Sequence, residues 1–233
     1  MVALHGQDVW ADDRLPSHIK ALGIDGTLKP IGSPLGQNSN KLDGTIKQLL
    51  LDIKPKIFLE VGVFNGSTST KVARFFKETP GFENSYVISM DTWILDIAFE
   101  RAGVKSVLET NTEYFAGDRI SGGSMMYYQF MANCLEADAA DRIIPLPTAT
   151  SNGAYTLLSH AVRPDFIYID ASHANPDVFI DYENFYNILK HGGLMAANDM
   201  KIPSIKELYD FLIKRYNLKS VKMNDNQAYF IKP

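Results

Sequence analysis

Hydrophobic residues fall along this chain in two alternating patterns. One is a short, almost unbroken apolar run: Lys56-Ile-Phe-Leu-Glu-Val61, Tyr86–Met90, Ile143–Leu146, Phe166–Ile169 and Gly193–Ala197. The other is a longer stretch with apolar residues at helical spacing, over 41–51, 67–78, 124–137, 152–161 and 178–190. Unbroken apolar runs read as strands buried on both faces, and their alternation with helices predicts a parallel sheet covered on both sides. Ser39 or Asn40 is the expected cap of the first helix, where Leu42, Ile46, Leu49 and Leu50 share a face before Pro55 breaks the chain. Pro203 opens a last helix with Ile205, Leu208, Tyr209, Leu212 and Tyr216 at helical spacing. Leu218–Met223 and Gln227–Ile231 then read as strands joined through Asn224-Asp225-Asn226. The expected architecture is α/β: a doubly wound, mostly parallel, seven-stranded Rossmann-like sheet ending in an antiparallel hairpin.

Two segments stand outside this alternation. Residues 1–38 are rich in Gly, Pro, Asp and Asn and read as an N-terminal extension that caps the domain, anchored by Trp10, Ile19, Leu22 and Ile24. The remainder, 39–233, reads as one domain. Within it, 94–123 is long for a strand-to-helix connection and holds Gly117, Gly122 and Gly123, so a lid is expected there. Trp93, Tyr114 and Phe115 are its candidate pocket walls.

Composition narrows the partners. The 233 residues carry 23 Lys+Arg against 27 Asp+Glu, a net charge of −4, which offers no general attraction to nucleic acid. No apolar run is long enough to span a membrane, and no basic segment followed by an apolar one opens the chain. A cytoplasmic protein with no nucleic-acid or membrane partner is expected. Cys134 is the single cysteine, which excludes an intrachain disulfide and a multi-cysteine zinc site; it reads as core.

In doubly wound sheets ligands bind at the carboxyl ends of the strands. The first such end carries Glu60-Val-Gly62-Val-Phe-Asn-Gly66-Ser-Thr68, between a strand and a helix. Its E-x-G-x-x-x-G spacing differs from the G-x-G-x-x-G of dinucleotide enzymes. It suits a ligand that presents an amino group and a carboxylate, although a glycine turn can also simply connect strand to helix. Asp91 ends the next strand, where a carboxylate can accept from both ribose hydroxyls. Together these features point to a nucleoside ligand.

The segment from 56 to 200 resembles the class I S-adenosylmethionine-dependent methyltransferases. Within them it is similar to the small-molecule O-methyltransferases of the macrolide-sugar (macrocin and mycinamicin) type. The likeness is carried by Leu59-Glu-Val-Gly-Val-Phe-Asn-Gly-Ser-Thr, Met90-Asp-Thr-Trp, Tyr128-Gln-Phe-Met-Ala-Asn133, Ile167-Tyr-Ile-Asp-Ala-Ser-His173 and Leu189-Lys-His-Gly-Gly-Leu-Met-Ala-Ala-Asn-Asp199. The resemblance implies that Glu60 and Gly62, with Val63, Asn65, Gly66 and Ser67, lie near the methionine end of S-adenosylmethionine. It implies Asp91 and Thr92 at the ribose, Thr148, Ala149 and Thr150 near the adenine, and Asp170 beside the cofactor. It also implies a homo-oligomer.

Two later strand ends bring a second set of groups. Asp170 ends one run, and Asn198 and Asp199 end the next. Two carboxylates and an amide oxygen suit a hard cation such as Mg²⁺, while a solvated acidic loop would look the same in sequence. The related enzymes bind Mg²⁺ through an acid and an adjacent pair; the sugar enzymes have two acids where this chain has Asn198-Asp199. His173 is the candidate general base, with Asp170 as the other catalytic candidate, since an imidazole titrates near neutral pH. The related sugar enzymes have a histidine at the matching position. The reaction expected is methyl transfer from S-adenosylmethionine to a hydroxyl of a small molecule, a sugar or polyol. A nicotinamide-dependent oxidoreductase and a non-catalytic S-adenosylmethionine-binding module remain the alternatives.

Overall fold

The computed structural model describes residues 42–93 and 125–233. The N-terminal extension, with Trp10, Ile19, Leu22 and Ile24, lies outside the described residues, as does the 94–123 insertion with Tyr114 and Phe115.

The elements follow in the expected order: α1 (Gly44–Ile53), β1 (Ile57–Val61), α2 (Ser67–Glu78), β2 (Tyr86–Asp91), α3 (Met125–Glu136), β3 (Ile143–Pro147), α4 (Thr150–Ser159), β4 (Phe166–Ile169), α5 (Asp177–Ile188), β5 (Leu194–Ala197), α6 (Pro203–Arg215), β6 (Ser220–Lys222) and β7 (Ala228–Ile231). One cap differs from expectation. Asp43 caps α1, its Oδ1 accepting from the N–H groups of Thr45 at 2.9 Å and Ile46 at 3.2 Å. Asp43 has the same capping chemistry as Ser39 and Asn40, and the free N–H groups select the carboxylate in register with them.

The strands form one seven-stranded sheet in the order β3-β2-β1-β4-β5-β7-β6. The pairs from β3 to β5 are parallel, and β7 runs antiparallel to both β5 and β6. Side chains alternate across the sheet. Phe58, Val87, Phe166, Tyr168, Leu194 and Ala196 pack against α1, α2 and α3 residues such as Leu50, Val72, Phe76 and Phe130. Leu59, Met90, Ile167, Ile169, Met195 and Ala197 pack against α4, α5 and α6 residues such as Leu157, Tyr182, Phe185 and Leu212. Both faces are thus covered, which is why the strands carry no hydrophobic–polar alternation. Cys134 is fully buried in the first layer, and burial pushes its thiol far above the ordinary range, so it is core. No helix among the described residues is long and apolar enough to cross a membrane.

The order reverses between β1 and β4, which lie side by side. That switch point opens a crevice at the strand carboxyl ends, and the residues of interest follow β1, β2, β4 and β5 there.

Candidate active site

The β1–α2 turn is shaped by contact with β4. Gly62 has φ +83°, and a Cβ on it would lie 2.1 Å from the carbonyl oxygen of Asp170. No other residue can sit there without separating the two strand ends. Gly66 caps α2 at φ +85° with no side-chain cap, and a Cβ on it would meet the Phe130 ring at 2.7 Å. Val63 is buried, while Asn65 and Ser67 are partly exposed on the turn.

Asp91 ties this turn to β2. Its Oδ2 accepts from the backbone N–H groups of Val63 and Phe64, both at 2.8 Å, and its Oδ1 accepts from Trp93 N–H at 2.8 Å. Each carboxylate oxygen has two lone pairs. Oδ2 is therefore filled, and Oδ1, with one bond among the described residues, keeps acceptor capacity for a ligand hydroxyl. Thr92 beside it is exposed. Trp93 is buried. Its side chain is 1% exposed, its Nε1 donates to Phe64 O at 2.7 Å, and its ring packs on Tyr127 and Phe130. After β3, Thr148 N–H donates to Asp91 O at 3.0 Å, Ala149 is exposed, and Thr150 opens α4 near the buried carboxyl of Asp181.

Glu60 departs from expectation. Its carboxyl does not open to the crevice but lies between β1 and α2, 2% exposed. Ser69 Oγ donates to Glu60 Oε2, and that hydroxyl also shares a 2.6 Å bond with Ser89. Position in the strand explains this: Glu60 alternates with Leu59 and Val61 and so faces the α1–α3 layer. Burial, reinforced by the charge of Asp170, pushes its carboxyl up to about 8 against the pull of the Ser69 bond.

Past β4 and β5 the polar groups converge. Asn198 Nδ2 donates to Asp170 Oδ1 at 3.0 Å. His173 Nε2 lies 2.9 Å from Asp199 Oδ2, with the imidazole 39% and the carboxylate 28% exposed. The loop is held from below, where Ser204 Oγ donates to His173 O at 2.6 Å. Burial pushes Asp170 up to about 6, with the nearby charge of Asp199 adding to it against the pull of the Asn198 bond. The Asp199 hydrogen bond raises His173 above its ordinary value, and the same bond holds Asp199 low.

Two further residues, read in sequence only as hairpin, join this site. Asn226 Nδ2 donates to Asp199 Oδ1 at 2.8 Å. Gln227 Nε2 donates to Asn198 Oδ1 at 2.9 Å and to the Tyr168 hydroxyl at 2.8 Å. A turn and a site partner look alike in sequence, since Asn and Gln serve both.

Of the expected cation ligands, the carboxylates of Asp170 and Asp199 come together, and ligand atoms of these two and of His173 all lie within 4.8 Å of one another. Asn198 turns its N–H, not its oxygen, to the Asp170 carboxylate, and its oxygen accepts from Gln227.

Comparison with known proteins gives the family. A family model described as a methyltransferase domain matches residues 59–200, more than half of the chain. The chain belongs to that family. It is a class I S-adenosylmethionine-dependent methyltransferase. No curated protein sequence matches it significantly. Solved structures share its fold at low identity. Cofactor-bound Rv0187 from MTB is 14% identical with a TM-score of 0.56, over 97% of this chain and 92% of that one. The O-methyltransferase NovP is 16% identical with a TM-score of 0.57, over 80% and 77%. The O-methyltransferase from Bacillus cereus in complex with SAH is 13% identical with a TM-score of 0.54, over 97% and 94%. In this methyltransferase, then, the crevice flanked by the Gly62 turn, Asp91 and Asp170 is the candidate cofactor cleft, and His173 with Asp199 is the polar pair at its β4–β5 side.

Proposed function

We propose that this methyltransferase transfers the methyl group of S-adenosylmethionine to a hydroxyl oxygen of a small molecule, a sugar or polyol, with His173 as general base. The observation that carries the reading is the 2.9 Å contact between His173 Nε2 and Asp199 Oδ2. A carboxylate that accepts from Nε2–H fixes the tautomer and leaves the lone pair on Nδ1. His173 Nδ1 takes the hydroxyl proton, and Asp199 stabilises the imidazolium that results. The cofactor supplies a methyl group activated on a sulfonium, so this chain's residues contribute positioning and proton removal. Gly62 and Asp91 are the residues that would hold the methionine and ribose ends. Asp170, near the neutral range, is the partner for the cofactor's or acceptor's polar atoms.

A second reading keeps a cation, and the convergence of Asp170, His173 and Asp199 favours it. The two carboxylates fit Mg²⁺, whereas the imidazole fits a softer ion better. There His173 would serve as a ligand beside the two carboxylates and not as the base. Transfer of labelled methyl from S-adenosylmethionine to a panel of polyhydroxylated acceptors tests both. The base reading expects turnover that survives EDTA and falls about 10²–10⁴-fold in His173→Gln. Wild-type turnover in His173→Gln would sink it, and loss of turnover with EDTA would favour the cation.

A further inference from the structure

The orientation of Asn198 is set from outside the strand ends. Asn224 Nδ2 donates to Gln227 Oε1 at 2.8 Å, Gln227 Nε2 donates to Asn198 Oδ1 at 2.9 Å, and Asn198 Nδ2 donates to Asp170 Oδ1 at 3.0 Å. Every link runs in one direction, from the β6–β7 hairpin to the β4 end. Reversing the Asn198 amide would set its oxygen against the Asp170 carboxylate and its N–H groups against those of Gln227, so two bonds would become two repulsions. The Gln227 amide cannot turn to follow without surrendering its bond to Asn224, whose own oxygen is held by the Asn226 N–H at 2.8 Å. Beside this relay, Asn226 Nδ2 holds Asp199 Oδ1.

We infer that Gln227 is a positioning residue that withholds the Asn198 oxygen from a divalent cation and commits Asn198 to bracing Asp170. Without it, Asn198 is oriented by Asp170 alone, and a cation between the carboxylates can draw its oxygen round to complete a ligand set with Asp170 and Asp199. The hairpin thereby decides whether the β5 pair serves as a cation site or as the brace of a proton-transferring pair. The inference rests on the proposed site but not on the identity of the base, because its test reads metal binding rather than turnover.

The probe is Mn²⁺ alone, a cation that accepts carboxylate and carbonyl ligands and reports its free concentration by EPR. The full chain is titrated in the presence of S-adenosylhomocysteine. Gln227→Leu removes the donor and keeps the bulk. The expected result is Mn²⁺ affinity about three- to tenfold tighter than wild type, the factor set by one released hydrogen bond. Adding Asn198→Ala to that variant returns the affinity to the wild-type value. Gln227→Glu guards against a poorly folded leucine variant: its carboxylate accepts from Asn198 Nδ2 and turns the oxygen toward Asp170. Its gain must likewise depend on Asn198, which separates ligation from added charge. Melting temperature and cofactor affinity confirm that each variant is folded. Unchanged or weaker Mn²⁺ binding in both folded Gln227 variants overturns the inference, and so does a gain that survives Asn198→Ala. Failure of the base reading shows instead as undiminished turnover in His173→Gln, which leaves the Mn²⁺ result untouched.

Discussion

Glu60→Gln should stabilise the cofactor-free protein at neutral pH and leave it unaltered in acid. The carboxyl sits between β1 and α2, 2% exposed, and is pushed from 4.5 to about 8 chiefly by burial. At pH 7 the unfolded chain carries it ionised and the folded chain carries it protonated. Folding therefore takes up a proton. A raised carboxyl means stability falls as pH rises from about 4.5 towards 8, at about 1.4 kcal/mol per pH unit. By pH 7 the cost is about 3 kcal/mol. Glutamine never ionises, and its oxygen still accepts from Ser69 Oγ. The variant should gain about 3 kcal/mol over wild type at pH 7, or about 6–12 °C in melting temperature for a chain of this size. At pH 4.5 the gain should vanish. Denaturant titrations at both values read it, and the difference between them removes any constant effect of the amide. Equal offsets at pH 4.5 and 7 would refute the buried, protonated carboxyl.

Three shorter predictions concern the crevice itself. Methyl transfer should rise with pH through a limb above 6.5, because Asp199 raises His173 and the base acts only when neutral; Asp199→Asn should move that limb to lower pH in a pH–rate profile. The stability contributed by that raised imidazole is complete below 6.5 and is lost as pH rises through its folded value. Gly62→Ala should cost several kcal/mol and abolish cofactor binding, since its Cβ would fall 2.1 Å from the Asp170 oxygen at a φ of +83°; calorimetry with S-adenosylhomocysteine checks both. In the same titration S-adenosylhomocysteine should bind far more tightly than NAD, because the turn lacks dinucleotide spacing.

What was legible in the sequence follows from how much of each signal is local. Phe166–Ile169 appears as a strand with the bounds read from its apolar run, because burial on both faces leaves no alternative pattern. The hairpin, the parallel order and the Gly62 turn are local signals too. The orientation of side chains is not. Glu60 looked like a ligand group because it precedes the glycine turn, yet strand alternation sends it beneath α2. Trp93 looked like a pocket wall beside an insertion, yet its ring fills the space over Phe130. Asn198 reads as a metal ligand, and the orientation of its amide depends on Asp170 and on Gln227, 29 residues on, which no local pattern reveals. The His173–Asp199 contact joins groups 26 residues apart and needed the β4–β5 pairing to appear.

The most direct test of the proposed function is a crystal structure with S-adenosylhomocysteine bound. The sulfur should lie between the Gly62 turn and His173, the ribose hydroxyls on Asp91, and His173 Nδ1 should face the open space beyond the sulfur where an acceptor oxygen would stand. A cofactor whose sulfur points away from His173, or an imidazole that keeps its Nδ1 buried against protein, would contradict it.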